Sequence, residues 1–241
     1  MEASPVSNFW SDEARRISWT LITFSRRGLK LAISPTVATS FVFLHLFYND
    51  PYHEDADLYL LLISSLFLSC KIEDSYRPLG FIFREFFKCV LEVQKKTGKK
   101  KLESIIGKRD FTDPEVTDKE AELICHYEIT FLNLIEWDMD IDIPFKHINE
   151  IFGLSKDEST NDEKFYNIVL RNLCLIQRNE NYLKLPPLIS AAVSILCAFG
   201  GKSCPEEVEN YILKLKQQYP SEFELAHSIL KAEFGQCIPC V

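Results

Sequence analysis

No stretch of these 241 residues holds the ~20 consecutive apolar residues that a membrane span needs. The first sixteen, MEASPVSNFWSDEARR, lack the apolar centre of a secretory leader. Alternating polar and apolar runs joined by Asn-Gly or Asp-Gly turns are absent, which argues against β-hairpins. No Gly-rich phosphate loop occurs, since GLKLAISPT (28–36) lacks the required spacing. The five histidines, at 45, 53, 126, 147 and 227, form no His-x-x-x-His pair. Cys237-x-x-Cys240 stands without the second pair that a four-ligand zinc site needs. Positive charge is in deficit too. With 27 Lys and Arg against 35 Asp and Glu, the formal net charge is −8, and bulk electrostatics oppose a phosphate backbone. Catalysis, metal binding, membrane insertion and nucleic-acid binding are therefore all without a clear basis. No cofactor and no metal are expected.

What is present is globular. Apolar residues make up 46% and charged residues 26%, enough for one large domain or two of ordinary size. Most of the eight cysteines (70, 89, 125, 174, 197, 204, 237, 240) sit in apolar stretches, where a free thiol acts as a small hydrophobe. Cys125-His126 reads the same way, as core rather than nucleophile. The expected compartment is reducing, cytosol or nucleus.

Helix starts are legible. Ser34-Pro35 reads as an N-cap followed by an N1 proline. Thr117…Glu120, Thr160…Glu163, Ser203…Glu206 and Ser221…Glu224 each fit a capping box ahead of an apolar-periodic segment. The expected fold class is all-α. The first half predicts helices over 11–26, 35–49, 55–72, 78–94 and 118–136, the third opening on Asp55 and Asp57. That third helix, LYLLLISSLFLSC in its middle, has no polar face and must be buried by its neighbours. The second half predicts helices over 144–153, 161–178, 186–199, 204–218 and 221–234, with Pro144, Pro186 and Pro205 at starts and Gly153 and Gly200-Gly201 at stops. Its third helix, PPLISAAVSILCAF, is again the most apolar. Five helices with an apolar third, twice over, suggest a duplicated module with domains 1–140 and 141–241. The basic segment KKTGKKKLESIIGKRD (95–110) reads as a solvated loop, or else as a contact for a partner or for nuclear import.

The third helix ends oddly, on Lys71-Ile72-Glu73-Asp74. Lys71 has Phe67 and Leu68 one turn back, and Glu128 has Ile124, Phe131 and Leu132 one turn either side. Both charges therefore lie where apolar faces meet, and burying either alone costs several kcal/mol. Packing the two helices together lets the charges neutralise each other. The pair then either fixes helix register or serves as a charged anchor in an apolar interface.

Several segments, in order, carry a family resemblance. FSRRGLKLAISPTVATSFVFLHLFY (24–48), LLISSLFLSCKIED (61–74), HYEITFLNLIEWDMDIDIP (126–144) and KLPPLISAAVSILCA (184–198) resemble conserved stretches of the cyclins, in their transcription-type branch. The length is similar to the compact cyclins of the Q, C or H kind. Three features depart from the usual pattern. His45-Leu46-Phe47-Tyr48 stands for His-Arg-Phe-Tyr, Glu73-Asp74 stands for Glu-Glu, and the Met-Arg-Ala-Ile-Leu substrate-docking motif is absent from DEARRISWTLITF. The resemblance implies two tandem five-helix cyclin folds. It implies that Lys71 and Glu128 anchor a cyclin-dependent kinase catalytic subunit around its C helix, with Ile72, Leu132 and Trp137 adding apolar contact. The implied chain is not an enzyme but an activator in nucleus or cytoplasm, whose docking turns that helix inward. The alternative of another class is a promoter-binding transcription adaptor of the same helical fold. The net charge and the lack of a zinc ribbon argue against it.

Overall fold

The structure, a computed structural model, describes residues 10–51, 56–107, 115–154, 163–200 and 204–234. Every α or β element among them is helical, and none of these helices is long and apolar enough to cross a membrane. The chain divides into two compact units, Met1–Ile141 and Asp142–Val241.

The first unit is built around α3 (Leu58–Ile72), against which α1 (Asp12–Leu29), α2 (Ala38–Asn49), α4 (Leu79–Thr97), α5 (Lys99–Ile106) and α6 (Asp118–Leu134) all pack. All thirteen residues from Leu58 to Cys70 are buried. A surface helix keeps one face wet; this one keeps none until Lys71. Asp57 starts it, its carboxylate accepting the Leu60 N–H at 3.2 Å. Ser11 does the same for α1, accepting from the Ala14 N–H. Thr117 and Glu120 close the expected capping box at the start of α6. The serines inside α3 are also satisfied: Ser64 Oγ donates to the Ile124 carbonyl of α6, while Ser65 and Ser69 donate back to their own helix.

Three local expectations are corrected. The second helix is of α type only from Ala38, because Ile33–Val37 ahead of it form a π-helical turn with Ala32 rather than Ser34 at its N-cap, and the Ala38 N–H bonds the Ile33 carbonyl. That turn accommodates Pro35, which has no N–H to give. The basic segment is not a loop over its described part. Gly98, at φ +90°, ends α4 and starts α5, a backbone angle that side-chain-bearing residues rarely adopt. The first unit thus has six helices among its described residues rather than five. Leu102 and Ile106 are buried while the five lysines stay exposed. The run of lysines hid an amphipathic turn pair. Residues 108–110 of that segment lie outside the described residues, as do Asp55 and Cys237-x-x-Cys240.

The second unit has its own central helix. Around α9 (Pro187–Phe199) pack α7 (Pro144–Phe152), α8 (Glu163–Gln177), α10 (Glu206–Gln218) and α11 (Pro220–Phe234). Buried Asn172 of α8 donates to the Ser194 carbonyl of α9 at 2.9 Å, tying the two together. Gly200 ends α9 in the left-handed region. Pro144 sits at the first position of α7, whereas Pro186 and Pro205 are one residue ahead of theirs. The Ser221…Glu224 box does not form. The helix begins one residue earlier, at Pro220, and the Ser221 hydroxyl bonds the Glu222 carboxylate instead. The boxes at Thr160 and Ser203 involve residues outside the described ones.

If Leu102 anchors a helix, its loss leaves a cavity under α5. Leu102→Ala should lower the unfolding free energy by about 2–4 kcal/mol in denaturant titration. Removing the charge of Lys95 and Lys100 should leave it within about 0.5 kcal/mol.

Candidate functional site

α3 and α6 meet along three polar ties. Residues 57, 64 and 71 are two helical turns apart and share one face. The Asp57 N–H donates to the Tyr127 hydroxyl at 2.9 Å, Ser64 bonds the Ile124 carbonyl at 2.8 Å, and Lys71 Nζ meets Glu128 Oε1 at 2.6 Å. The first two ties are internal to the fold. The third stands where α3 emerges from the core, and its members differ in exposure: the Glu128 side chain is 10% exposed and that of Lys71 40%. Lys71 also lies over the Phe67 ring, 4.0 Å from its centre. Its position in the last turn of α3 suits the negative end of the helix dipole.

The acids that follow have separate tasks. Glu73 turns inward, and its Oε1 accepts from the Thr39 hydroxyl of α2 at 2.5 Å. Asp74 adopts φ +48°, the left-handed residue that ends the helix, and the Ser75 N–H closes back on the Cys70 carbonyl at 2.9 Å. Aspartate tolerates that conformation better than most side chains. Arg77 fastens the turn, its guanidinium donating to the Leu29 and Lys30 carbonyls at the end of α1 and to the Ser75 and Tyr76 carbonyls. Sequence reasoning did not single out Thr39 or Arg77. Each acts across 34 or more residues of chain, and no local pattern marks it.

α6 ends in a matching way. The Trp137 N–H reaches the Leu132 carbonyl at 2.9 Å, and both Glu136 (φ +51°) and Trp137 (φ +63°) are left-handed. Two such residues in succession cost roughly 1–2 kcal/mol each. The result holds the Trp137 ring outward, 57% exposed, with its indole N–H on Asn133 Oδ1 at 3.1 Å.

Between these two helix ends lies a groove of about 300 Å³, lined by Leu68, Lys71, Ile72, Cys125, Glu128, Ile129, Leu132 and Met139. Of the five residues expected at the site, four line it together: Lys71, Ile72, Glu128 and Leu132. Trp137 stands outside the lining, two residues before Met139. Ile129 and Met139 are each about half exposed and were not foreseen. Ile129 follows from helical spacing, since it lies one turn beyond Cys125 and one turn before Leu132, whereas Met139 lies beyond the end of α6 and no helical period marks it. Cys125 and His126 are exposed, not core, a correction that follows because Ile124, Tyr127 and Glu128 form the buried stripe of α6. A second, more open hollow, lined by Asp118, Glu122 and His126, continues the groove past Cys125 and Ile129.

Chemically the groove can bind, since it offers apolar walls with one ammonium and one carboxylate at the centre. Beyond their mutual bond, neither the Lys71 nor the Glu128 side chain makes another hydrogen bond to a described residue. A lysine has three N–H donors and a carboxylate two oxygens, so donor and acceptor capacity remain for a partner. No group of three or more His, Cys, Asp or Glu side chains among the described residues is placed to hold a metal. No family model matches the chain, and no curated protein matches it.

Burial pushes the thiols of Cys70 and Cys89 up to about 11, which suppresses the reactive thiolate. Cys125 is the exposed cysteine among the described residues. Brief alkylation of the native chain at neutral pH, read by peptide mass spectrometry, should therefore modify Cys125 at least about tenfold faster than Cys70 or Cys89.

Proposed function

We propose that this chain is the activating subunit of a cyclin-dependent serine/threonine kinase. On this reading residues 1–140 and 141–241 are tandem cyclin folds acting in the nucleus or cytoplasm. The observation that carries the reading is the Lys71–Glu128 pair, with spare hydrogen-bonding capacity, at the centre of an exposed apolar groove. A pair serving only as an internal brace has no need of an apolar solvent-facing surround. Ile129 and Met139 in the lining, and Trp137 two residues before Met139, expose large apolar side chains, the composition of a protein-binding hot spot. The central, all-round apolar helix in each unit supports the tandem-fold reading, with α5 as an insertion in the first five-helix set.

The mechanism follows from the geometry of the groove. A helix of the kinase laid into it gains apolar burial from Ile72, Ile129, Leu132 and Met139. Its backbone or side-chain polar groups meet Lys71 Nζ and the free oxygen of Glu128. A ridge of α3 and α6 held rigid by the Ser64 and Tyr127 ties cannot yield, so the kinase helix takes the orientation that the ridge dictates. That orientation completes the kinase's own Lys–Glu pair for holding ATP phosphates. The chain supplies contacts and no reacting group.

A charge exchange separates the brace from the docking role. Lys71→Glu and Glu128→Lys each place like charges side by side and should cost about 1–4 kcal/mol of stability. The double exchange should recover much of that, as judged by thermal unfolding. Activation of the co-purifying kinase should be lost in all three, because the partner's groups then meet the wrong charge at each point. Recovery of activation together with stability in the double variant would defeat the proposal.

Trp137 provides a second, independent check. Glycine at this left-handed position relieves backbone strain, so Trp137→Gly should leave the chain as stable as before, or up to about 1 kcal/mol more stable. Its affinity for the kinase, measured by titration calorimetry, should nevertheless fall about tenfold or more. Unchanged affinity would remove Trp137 from the interface.

A further inference from the structure

We propose that the corner between α4 and α5 is a docking surface for an acidic segment of a partner polypeptide, one with clustered Asp and Glu side chains. It shares no residue with the Lys71–Glu128 groove and does not depend on the kinase reading. Five of the seven residues from Lys95 to Lys101 are lysine, in a chain whose net charge is −8. All five are exposed. Gly98 folds the backbone between the two lysine groups, so that Lys95 and Lys96 at the end of one helix adjoin Lys99, Lys100 and Lys101 at the start of the next.

The fold answers this charge only in part. Lys101 pairs with Glu13 at 2.5 Å, and Lys99 lies 3.6 Å from Glu103. Lys96 sits over the Phe24 ring, 4.9 Å from its centre, and Arg27 lies over the same ring at 5.5 Å. Two cations thus converge on one aromatic side chain. Lys95 and Lys100 have no ion-pair partner among the described residues. Helices ordinarily place acids in the first turn; α5 has three lysines there and no side-chain cap. Like charges crowded in this way repel, and exposed ammonium groups gain no burial in return. The arrangement raises the free energy of the isolated chain, and a polyanion lowers it.

The observations favour a peptide over a nucleic acid. A nucleic acid long enough to outrun the corner meets a chain with an excess of acid, and its phosphate repeat continues beyond the lysines. A short acidic segment ends where the lysines end. Single-stranded nucleic acid also binds by stacking on open aromatic faces, and here Phe24 is only partly exposed and has Arg27 and Lys96 over its ring.

The test uses the full chain and a fluorescent peptide of about twelve mixed Asp and Glu residues. Binding is followed by anisotropy at about 50 and 300 mM salt, beside a single-stranded oligonucleotide of equal charge. The peptide should bind at low salt and weaken at least about fivefold at high salt, as expected for exposed charges. The triple variant Lys95→Gln, Lys96→Gln, Lys100→Gln should lose about tenfold or more in affinity with an unchanged circular dichroism spectrum. The corresponding arginine variant should keep the binding, and Lys119→Gln, Lys214→Gln, Lys231→Gln, which removes equal charge elsewhere, should bind as the parent does. Absence of binding, equal binding by the glutamine variant, or tighter binding of the oligonucleotide would each overturn the proposal.

Discussion

A helix with no polar face has to be covered on every side, and α3 imposes that demand on the first unit. Thirteen consecutive buried residues leave no edge for water, so five other helices enclose it. Each fully buried Leu, Ile or Phe contributes roughly 1.5–3 kcal/mol through removal from water, and the backbone carbonyls stay paired within the helix. The demand ends only at Lys71, where the helix leaves the core. The place at which charge can first appear is thus also the place at which the core reaches the surface. A binding site there has a rigid floor because it is the exposed end of the most enclosed element.

The seam with α6 shows how polar groups work inside such packing. Ser64 is small enough to let the helices approach, and its hydroxyl finds the Ile124 carbonyl. Glu128 is nearly buried and would be costly alone, but Lys71 reaches it. The same lysine keeps much of its length in water, so the pair holds both halves of a hydrogen-bonding system open to a partner. Two left-handed turns, at Asp74 and at Glu136-Trp137, bring the chain sharply away from each helix end.

Much of this was legible as pattern. The all-helical class, the central apolar helices and the Lys71 and Glu128 positions follow from periodicity and from charges set among apolar neighbours one turn away, whereas Ile72 and Leu132 were expected only from the family resemblance. Two of the misreadings share a cause, which is that local composition outweighed periodicity. Five lysines in 95–101 masked Leu102 and Ile106, spaced by four, as a buried helical face. Cys125-His126 sat in an apolar-looking run, yet the burial of Ile124, Tyr127 and Glu128 turns both residues outward. The Ser221 box had the right letters, but Pro220, with its fixed φ, started the helix first.

The sequence by itself determined most of the helical segments, α5 apart, and which two of them must be interior, because side-chain spacing and apolar content act locally and along one chain direction. It also determined that Lys71 and Glu128 each need a neutralising neighbour. Only the tertiary structure decided that they meet at 2.6 Å, that Thr39 and Arg77 hold the turn after Lys71, and that Ile129 and Met139 line the groove beside the pair. Those facts depend on how helices far apart in the chain are placed against one another. That placement is set by the packing of whole faces, which no single residue or short motif encodes.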